Sequence, residues 1–373
     1  MQTEMQGALI GTFSRRLLVA AFVFCGCSAT LHAASFNCAK ASTPQEKAIC
    51  ANPKLSALDG QVAASYAALR NQLSANGAAE VQSDQRAWLV WLRAVCPVQQ
   101  PKGETLRDCL TAKYNDRLPT LKASLHRIDG MVLFDRYTVL TMPNTEPPPS
   151  DGYFPGVGMG EFAWPEIDKP TVQQAAWNSA VRAQAVRLSF DSEQQAQPRD
   201  FATSSVADAE VTVTGDLRAV SKTLIVLQFH TFVYNYGAAH PSSGNLSFLW
   251  WLDKGRVLAA SDVFRESSGW QDGVGSLAYN KLLHSDVGSY LWPESPNGEL
   301  PAGRKAVLKE AQKPSNWVLS INGLEINFPS YSVGPYVMGR PCVQLSWNEL
   351  RPYLAAGFDP ATLPPALPQS DSD

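Results

Sequence analysis

Cysteine is the residue whose spacing says most about chemistry here. Four of the seven, Cys38, Cys50, Cys96 and Cys109, fall within 72 residues as C-x11-C followed by C-x12-C. A four-cysteine zinc site takes about two to four residues between the ligands of a pair, so these gaps do not suit one. In an oxidising compartment an even cluster on a short segment reads as two disulfides. Three pairings satisfy the count. Pairing of sequence neighbours, Cys38 with Cys50 and Cys96 with Cys109, is the default, and loops of that size contribute roughly 3 kcal/mol each in the chain-entropy view. Cys342 is left over and is expected as a buried free thiol.

Other catalytic residues are sparse. His126, His230, His240 and His284 have no second His or Glu at metal-ligand spacing. There is no G-x-S-x-G elbow, no S-x-x-K and no phosphate-cradling P-loop. Gly156-Val157-Gly158-Met159-Gly160 neither follows a clear strand nor opens a helix, and reads as a loop. Asp253 and Asp262 could be imagined as paired acids, but they read better as a turn residue and a local cap. We therefore expect no catalytic residue, no metal site, no cofactor and no enzyme.

Two loops suit recognition instead. Tyr236-Gly237-Ala238-Ala239-His240-Pro241 ends a long β-rich run with backbone-permissive residues and one titratable ring. Tyr331-Ser332-Val333-Gly334-Pro335-Tyr336 follows a hairpin and presents two tyrosines on a segment stiffened by Pro335. Tyrosine offers large contact area with few rotors to freeze, which favours protein binding. The expected partner-binding residues are Tyr331, Pro335, Tyr336, Tyr236 and His240. The alternative is that the tyrosines pack internally and His240 only satisfies its loop.

The elements behind these residues change character near residue 128. Thr43-Pro44-Gln45-Glu46 is a capping box with proline at the first helical position. Leu55, Leu58, Val62, Tyr66, Leu69 and Leu73 then recur at the spacing of one helix face. Asn76-Gly77 is expected to break the chain. A second helix carries Val81, Trp88, Leu92 and Val95 with Trp91 off that face, and a third runs from about Glu104 until Pro119 kinks or ends it. Beyond residue 128 the signals alternate. Val211–Gly215 and Thr223–Tyr236 are β-rich, and Asp253-Lys254-Gly255 and Asn322-Gly323 are hairpin turns. Thr171–Phe190, Gln271–His284 and Trp347–Leu354 look helical. The expectation is a multidomain chain: a small disulfide-stapled all-α helical domain (36–128), then an α+β domain with an antiparallel sheet (131–358). The latter comprises a leading segment, 131–200, and a core, 201–355. A disordered tail, 359–373, follows.

Composition bounds the rest. The 373 residues are 45% hydrophobic and 17% charged, which excludes disordered, collagenous and coiled-coil classes. Residues 1–34 read as a signal peptide: Arg15 and Arg16, the apolar run Leu17–Cys25, and small residues to Ala34, with cleavage expected close to Ala34, before Ser35. The run is about half the roughly 20 residues that span a membrane. Export to the periplasm or beyond follows, with membrane attachment only if Cys27 is lipidated; Phe24 makes a poor lipoprotein box. Residues 35–128 carry 12 Lys and Arg against 7 Asp and Glu, and residues 129–373 carry 17 against 26. The overall charge of −3 gives no reason to expect nucleic acid.

Residues 36–128 resemble the N-terminal domain of LprI-type lysozyme inhibitors. The match rests on Phe36-Asn37-Cys38-Ala39-Lys40-Ala41, Thr43-Pro44-x-Glu46-Lys47-Ala48-Ile49-Cys50, Leu55-Ser56-Ala57-Leu58-Asp59, Gln85-Arg86-Ala87-Trp88-Leu89, Cys96 and Cys109-Leu110. Asn37 stands where that pattern often has an acid. Residues 201–355 resemble the extracellular C-terminal domain of RsiV-type anti-sigma factors through Gly237-Ala238-Ala239-His240-Pro241, Leu258-x-x-x-Asp262-Val263-Phe264 and Phe328-x-x-Tyr331-x-Val333-x-Pro335-Tyr336-x-x-Gly339. Trp164-Pro165-Glu166-Ile167-Asp168 and Trp177-Asn178 resemble the segment that precedes it, and residues 285–304 look like an insertion. The sigma-binding part and membrane span of that family have no counterpart here, so signalling does not carry over. Both resemblances imply a lysozyme-like muramidase as partner, bound and inhibited by occlusion. The alternative partner is peptidoglycan or another anionic envelope glycan, suggested by the basic helical segment and Trp91.

Overall fold

The computed structural model describes residues 34–98, 105–143, 157–188, 209–293 and 302–368. The leader before Ala34, Cys27 within it, and the Pro-rich stretch 144–156 lie outside the described residues.

The helical part begins as its capping signals dictate. Thr43 Oγ1 accepts from the Glu46 N–H at 3.2 Å while the Glu46 carboxylate accepts from the Thr43 N–H at 2.9 Å, opening α1 (Pro44–Ala51). Asn52 caps α2 (Pro53–Arg70) through the Leu55 N–H. The chain breaks at 71–74, ahead of the expected Asn76-Gly77. Ser74 accepts from Gly77 and Ala78, so α3 (Ala75–Val98) is already under way at the glycine. Thr105 and Asp108 form a second box for α4 (Leu106–Ala123). This helix continues through Pro119 and does not end there. Pro119 and Asn115, whose carbonyl loses its donor, face solvent, while buried Tyr114, Arg117 and Leu121 hold both sides of the turn. The disulfides join Cys38 to Cys50 and Cys96 to Cys109.

A seven-stranded sheet follows in chain order: β1 (Leu125–Ile128), β2 (Met131–Pro143), β3 (Val157–Ile167), β4 (Ala209–Val220), β5 (Leu224–Asn235), β6 (Ser242–Trp251) and β7 (Arg256–Val257). It is mixed rather than purely antiparallel. β3 and β4 run parallel from Met159 opposite Glu210 to Ala163 opposite Thr214, and α5 (Val172–Leu188) lies in their crossover. β1 pairs with β2, so residues 125–128 belong to the sheet and not to the helical domain assigned to them. From Val157 on, the glycine-rich stretch is strand as well. A Cβ at Gly160 would strike the Phe162 ring, so glycine here makes room for an aromatic core residue.

Beyond the sheet come α6 (Ala260–Val263), α7 (Trp270–Leu283) and α8 (Ala302–Ala311), and then a small antiparallel sheet with order β10-β9-β8. Its strands are β8 (Trp317–Ser320), β9 (Gly323–Asn327) and β10 (Cys342–Leu345), followed by α9 (Trp347–Leu350) capped by Ser346. Asn322-Gly323 forms the β8–β9 turn, with Gly323 at φ 144°.

Among the described residues, three apolar clusters hold these layers. α5 buries Trp177, Val181, Ala185 and Leu188 against Phe162, Trp164, Val213 and Phe229 of the large sheet. The helical part packs Trp88, Trp91, Leu92 and Leu110 against Phe134 of β2 and Met159 of β3. On β2, Tyr137 and Val139 join the helical cluster and Leu140 the α5 cluster, so the strand is covered on both faces. The third cluster joins α7, α8 and the small sheet to Ala219, Leu224, Val226 and Leu249. Most of the expected disordered tail is part of this structure. Leu363 is buried in the third cluster, the Leu367 N–H donates to the Arg218 carbonyl at 2.7 Å, and Ala366 bridges Ala219. An edge of β4 and an apolar slot were available to it; residues 369–373 lie outside the described residues.

Candidate partner-binding site

The segment between β9 and β10 is a closed loop whose ends meet through the Phe328 N–H and the Pro341 carbonyl at 2.9 Å. Ser332 donates from its N–H and hydroxyl to the Pro329 carbonyl at 3.1 and 2.6 Å, folding the first turn. That turn holds Tyr331 at φ 63°, the left-handed region that side chains rarely adopt. Val333 then plugs the third apolar cluster at 1% exposure. A Cβ at Gly334 would collide with the Met338 sulfur and the Tyr290 carbonyl, so only glycine lets the loop lie this close. Pro335 opens a single 3₁₀ turn, Tyr336–Met338, in which Met338 is buried and Gly339 reverses the chain at φ 67°. Inward Val333 and Met338 fix the loop from beneath, while Tyr331, Tyr336 and Val337 stand in solvent at 46%, 45% and 68% exposure.

The second expected loop, between β5 and β6, meets the first. The His240 ring stacks on Tyr336 with centroids 4.7 Å apart and planes at 28°, and Tyr336 lies 5.7 Å from Tyr331 at 34°. Three rings from two loops far apart in sequence thus meet, one pair stacked and the other tilted. His240 Nδ1 donates to the Pro241 carbonyl at 3.0 Å, which orients the imidazole. Tyr236 is not in the stack. Its hydroxyl donates to the Val157 carbonyl at 3.0 Å and its ring meets Tyr234 edge-on, so it ties the turn to the start of β3.

A polar chain ties the loop base to the large sheet. Arg340 donates to the Asn245 side-chain oxygen, which also lies 2.9 Å from His230 Nδ1, and His230 Nε2 is 3.3 Å from Asp216. This coupling was invisible in the sequence, where these four residues are scattered and carry no shared motif.

Other sequence candidates settle into structural roles. Asp262 accepts from the Ala259 N–H at 2.8 Å and from Arg256 at 2.6 and 2.7 Å. The Arg256 hydrogen bonds lead in holding its carboxyl down at about 2, so it is a cap and not a proton donor. Cys342 is exposed, not buried: β10 alternates, and Val343 and Leu345 take the inward positions. Local packing around the sulfur and then the Glu325 carboxylate push its thiol up, against Arg218. Trp91 is buried at 3%, because α3 lies between the other helices and β2 and has two covered faces. Sequence reading also missed Arg136, which bonds Asp84 at 2.8 and 2.9 Å and ion-pairs with Glu80 and Glu166. Among the described residues no cluster of three His, Cys, Asp or Glu could hold a metal ion, and no helix is long and apolar enough to cross a membrane.

Comparison with known proteins gives two family matches. Residues 38–121 match lysozyme inhibitor LprI, and residues 261–348 match DUF3298, a family of unknown function. The resemblance to RsiV-type ectodomains is met only as DUF3298, over a shorter span. No curated protein matches the chain. Among solved structures, a DUF3298-family protein of Bacteroides fragilis shares 13% identity at TM-score 0.42, covering 61% of this chain and 95% of its own. A DUF3298-family protein of Pseudomonas aeruginosa PAO1 shares 14% at TM-score 0.40, covering 62% and 97%.

Proposed function

We propose that this protein acts outside the cytoplasm as a non-enzymatic inhibitor of a lysozyme-type muramidase. Tyr331, Tyr336 and His240 form the contact surface, and inhibition is by occlusion: the loop enters the sugar cleft and keeps substrate from the two catalytic carboxylates. The observation that carries this reading is the cluster of three rings, with His240 stacked on Tyr336 and Tyr331 beside it, on a loop fixed from beneath by Val333, Gly334 and Met338. A rigid aromatic anchor loses little entropy on binding and buries large area, the profile of an interface hot spot.

The LprI match over the helical part supports the ligand class. Two disulfides suit an oxidising compartment outside the cytoplasm. The acidic excess of residues 129–373 suits attraction of basic, animal-type lysozymes, an effect on encounter rate that salt screens. The envelope-glycan reading drew on the basic helical segment and an unpacked Trp91, and the burial of Trp91 leaves it only the charge of that segment.

The test is inhibition of a c-type lysozyme on cell-wall substrate by the whole mature chain, since the helical part and the sheet share a core and separate pieces would expose it. Inhibition that is lost in Tyr336→Ala with the thermal transition unchanged is the expected result. Full inhibition by that variant would move the site off this loop. No inhibition by the folded native chain would reject the reading.

A further inference from the structure

Asp59 is a carboxylate buried in the helical part without a cation partner among the described residues. It lies on α2 at 6% exposure, on the face that carries Leu55 and Val62 into the core. The Tyr114 hydroxyl donates to Oδ1 at 2.9 Å, and the backbone nitrogen of Ser35 donates to Oδ2 at 2.6 Å. No Lys, Arg or His pairs with it among the described residues. Burial, with the Asp59 charge second, pushes the Tyr114 phenol well above its ordinary range, so Tyr114 remains a neutral donor. A buried carboxylate with only neutral donors is an expensive arrangement, and buried charges are normally paired.

We propose that the missing cation is the amino terminus of Ser35 itself, created by hydrolysis of the Ala34–Ser35 peptide bond. Water adds across the C–N bond, Ala34 leaves as a carboxylate, and the nitrogen that was a one-proton amide becomes an ammonium. The nitrogen already sits within charge-assisted hydrogen-bond reach of Asp59. The reaction class is that of an envelope signal peptidase. Such an enzyme needs an extended, accessible chain, and Ala34 is 7% exposed in the fold. Cleavage therefore precedes closure of the helical part, and the released ammonium completes the buried pair as that part folds. Cys38, three residues on, is fixed by its bond to Cys50, so the new terminus has little freedom to leave.

Intact mass and amino-terminal sequencing of the protein recovered from the exporting cell read the site directly. The expected first residue is Ser35 with a free amine. A chain that starts at Ala34, a lipid-modified terminus at Cys27, or an uncut leader would each overturn the proposal. The pair itself is tested by acetylating the amine of the chain that starts at Ser35, alone and with Asp59→Asn. Acetylation should lower Tm by roughly 5 °C or more when Asp59 is present, and by far less in Asp59→Asn. Equal effects in the two backgrounds, or none in the native one, would show that no ammonium pairs with Asp59. The native-background arm stands even if Asp59→Asn does not fold.

Discussion

His240 and Tyr336 come from loops nearly a hundred residues apart, yet their rings stack at 4.7 Å. The imidazole limits how far Tyr336 can turn, and Tyr336 in turn leans towards Tyr331. If the stack is the binding anchor, Tyr336→Ala weakens lysozyme binding by more than about 2 kcal/mol, and His240→Ala weakens it less. The double variant should then lose less than the two single losses combined, with a coupling of roughly 0.5–1.5 kcal/mol. Calorimetric titration of the four proteins measures this. Strict additivity would mean that the stack does not position Tyr336.

Tyr331 separates strain from recognition. Its φ of 63° disfavours any side chain, so Tyr331→Gly should relieve about 1 kcal/mol and leave the turn in place. The exposed ring has little packing to lose on removal. The expected outcome is a thermal transition at or above that of the native chain, together with a clear loss of inhibition. Retained inhibition would remove Tyr331 from the contact surface.

How much of this was legible in the sequence depends on how local the signal is. The capping box at Thr43, the Asn322-Gly323 hairpin and the neighbour disulfides are read over a few residues, and the structure has them. The two loops were also visible, from their Tyr, Gly and Pro content. Their meeting was not, because β5–β6 and β9–β10 belong to different sheets and only the fold brings them together. Arg136, Asp84 and Glu166 failed to stand out for the same reason. The outcome at Trp91 and Pro119 was set by their surroundings. A second packing surface covered the face that carries Trp91, and the Asn115 carbonyl that loses its donor to Pro119 lies on the exposed side of the helix.

His126 gives the fold a pH dependence of known sign. Burial lowers its pKa, but the hydrogen bond and charge of Asp135, 3.1 Å from Nε2, raise it more, with a smaller contribution from Asp216. The folded pKa therefore lies above the unfolded value of about 6.5. The stabilisation is fully present below that value and fades as pH rises through the folded pKa. Tm should fall over that window in the native chain and fall less in His126→Gln. Identical pH profiles for the two proteins would show that the pair contributes nothing to stability.

Arg136 is the joint between the helical part and the sheet. From β2 it bonds Asp84 of α3 at 2.8 and 2.9 Å, and it faces Glu80 and Glu166 as well. The Trp164 indole and Arg182 complete the partners of Glu166. Arg136→Met preserves much of the apolar stem but strands Asp84, at 6% exposure, with the Tyr137 N–H and no other cation bonded to it among the described residues. Breaking a buried pair in this way costs about 3–5 kcal/mol. The loss falls on the seam between two clusters, so denaturant unfolding should change in shape as well as in midpoint. The native chain is expected to melt as one unit where α3 and β2 share a core. In Arg136→Met the helical part, held by its two disulfides, should separate from the sheet and give two transitions, followed by tryptophan fluorescence. A single transition shifted to lower denaturant would mean that Phe134 and Met159 suffice to keep the two parts together without the charge network.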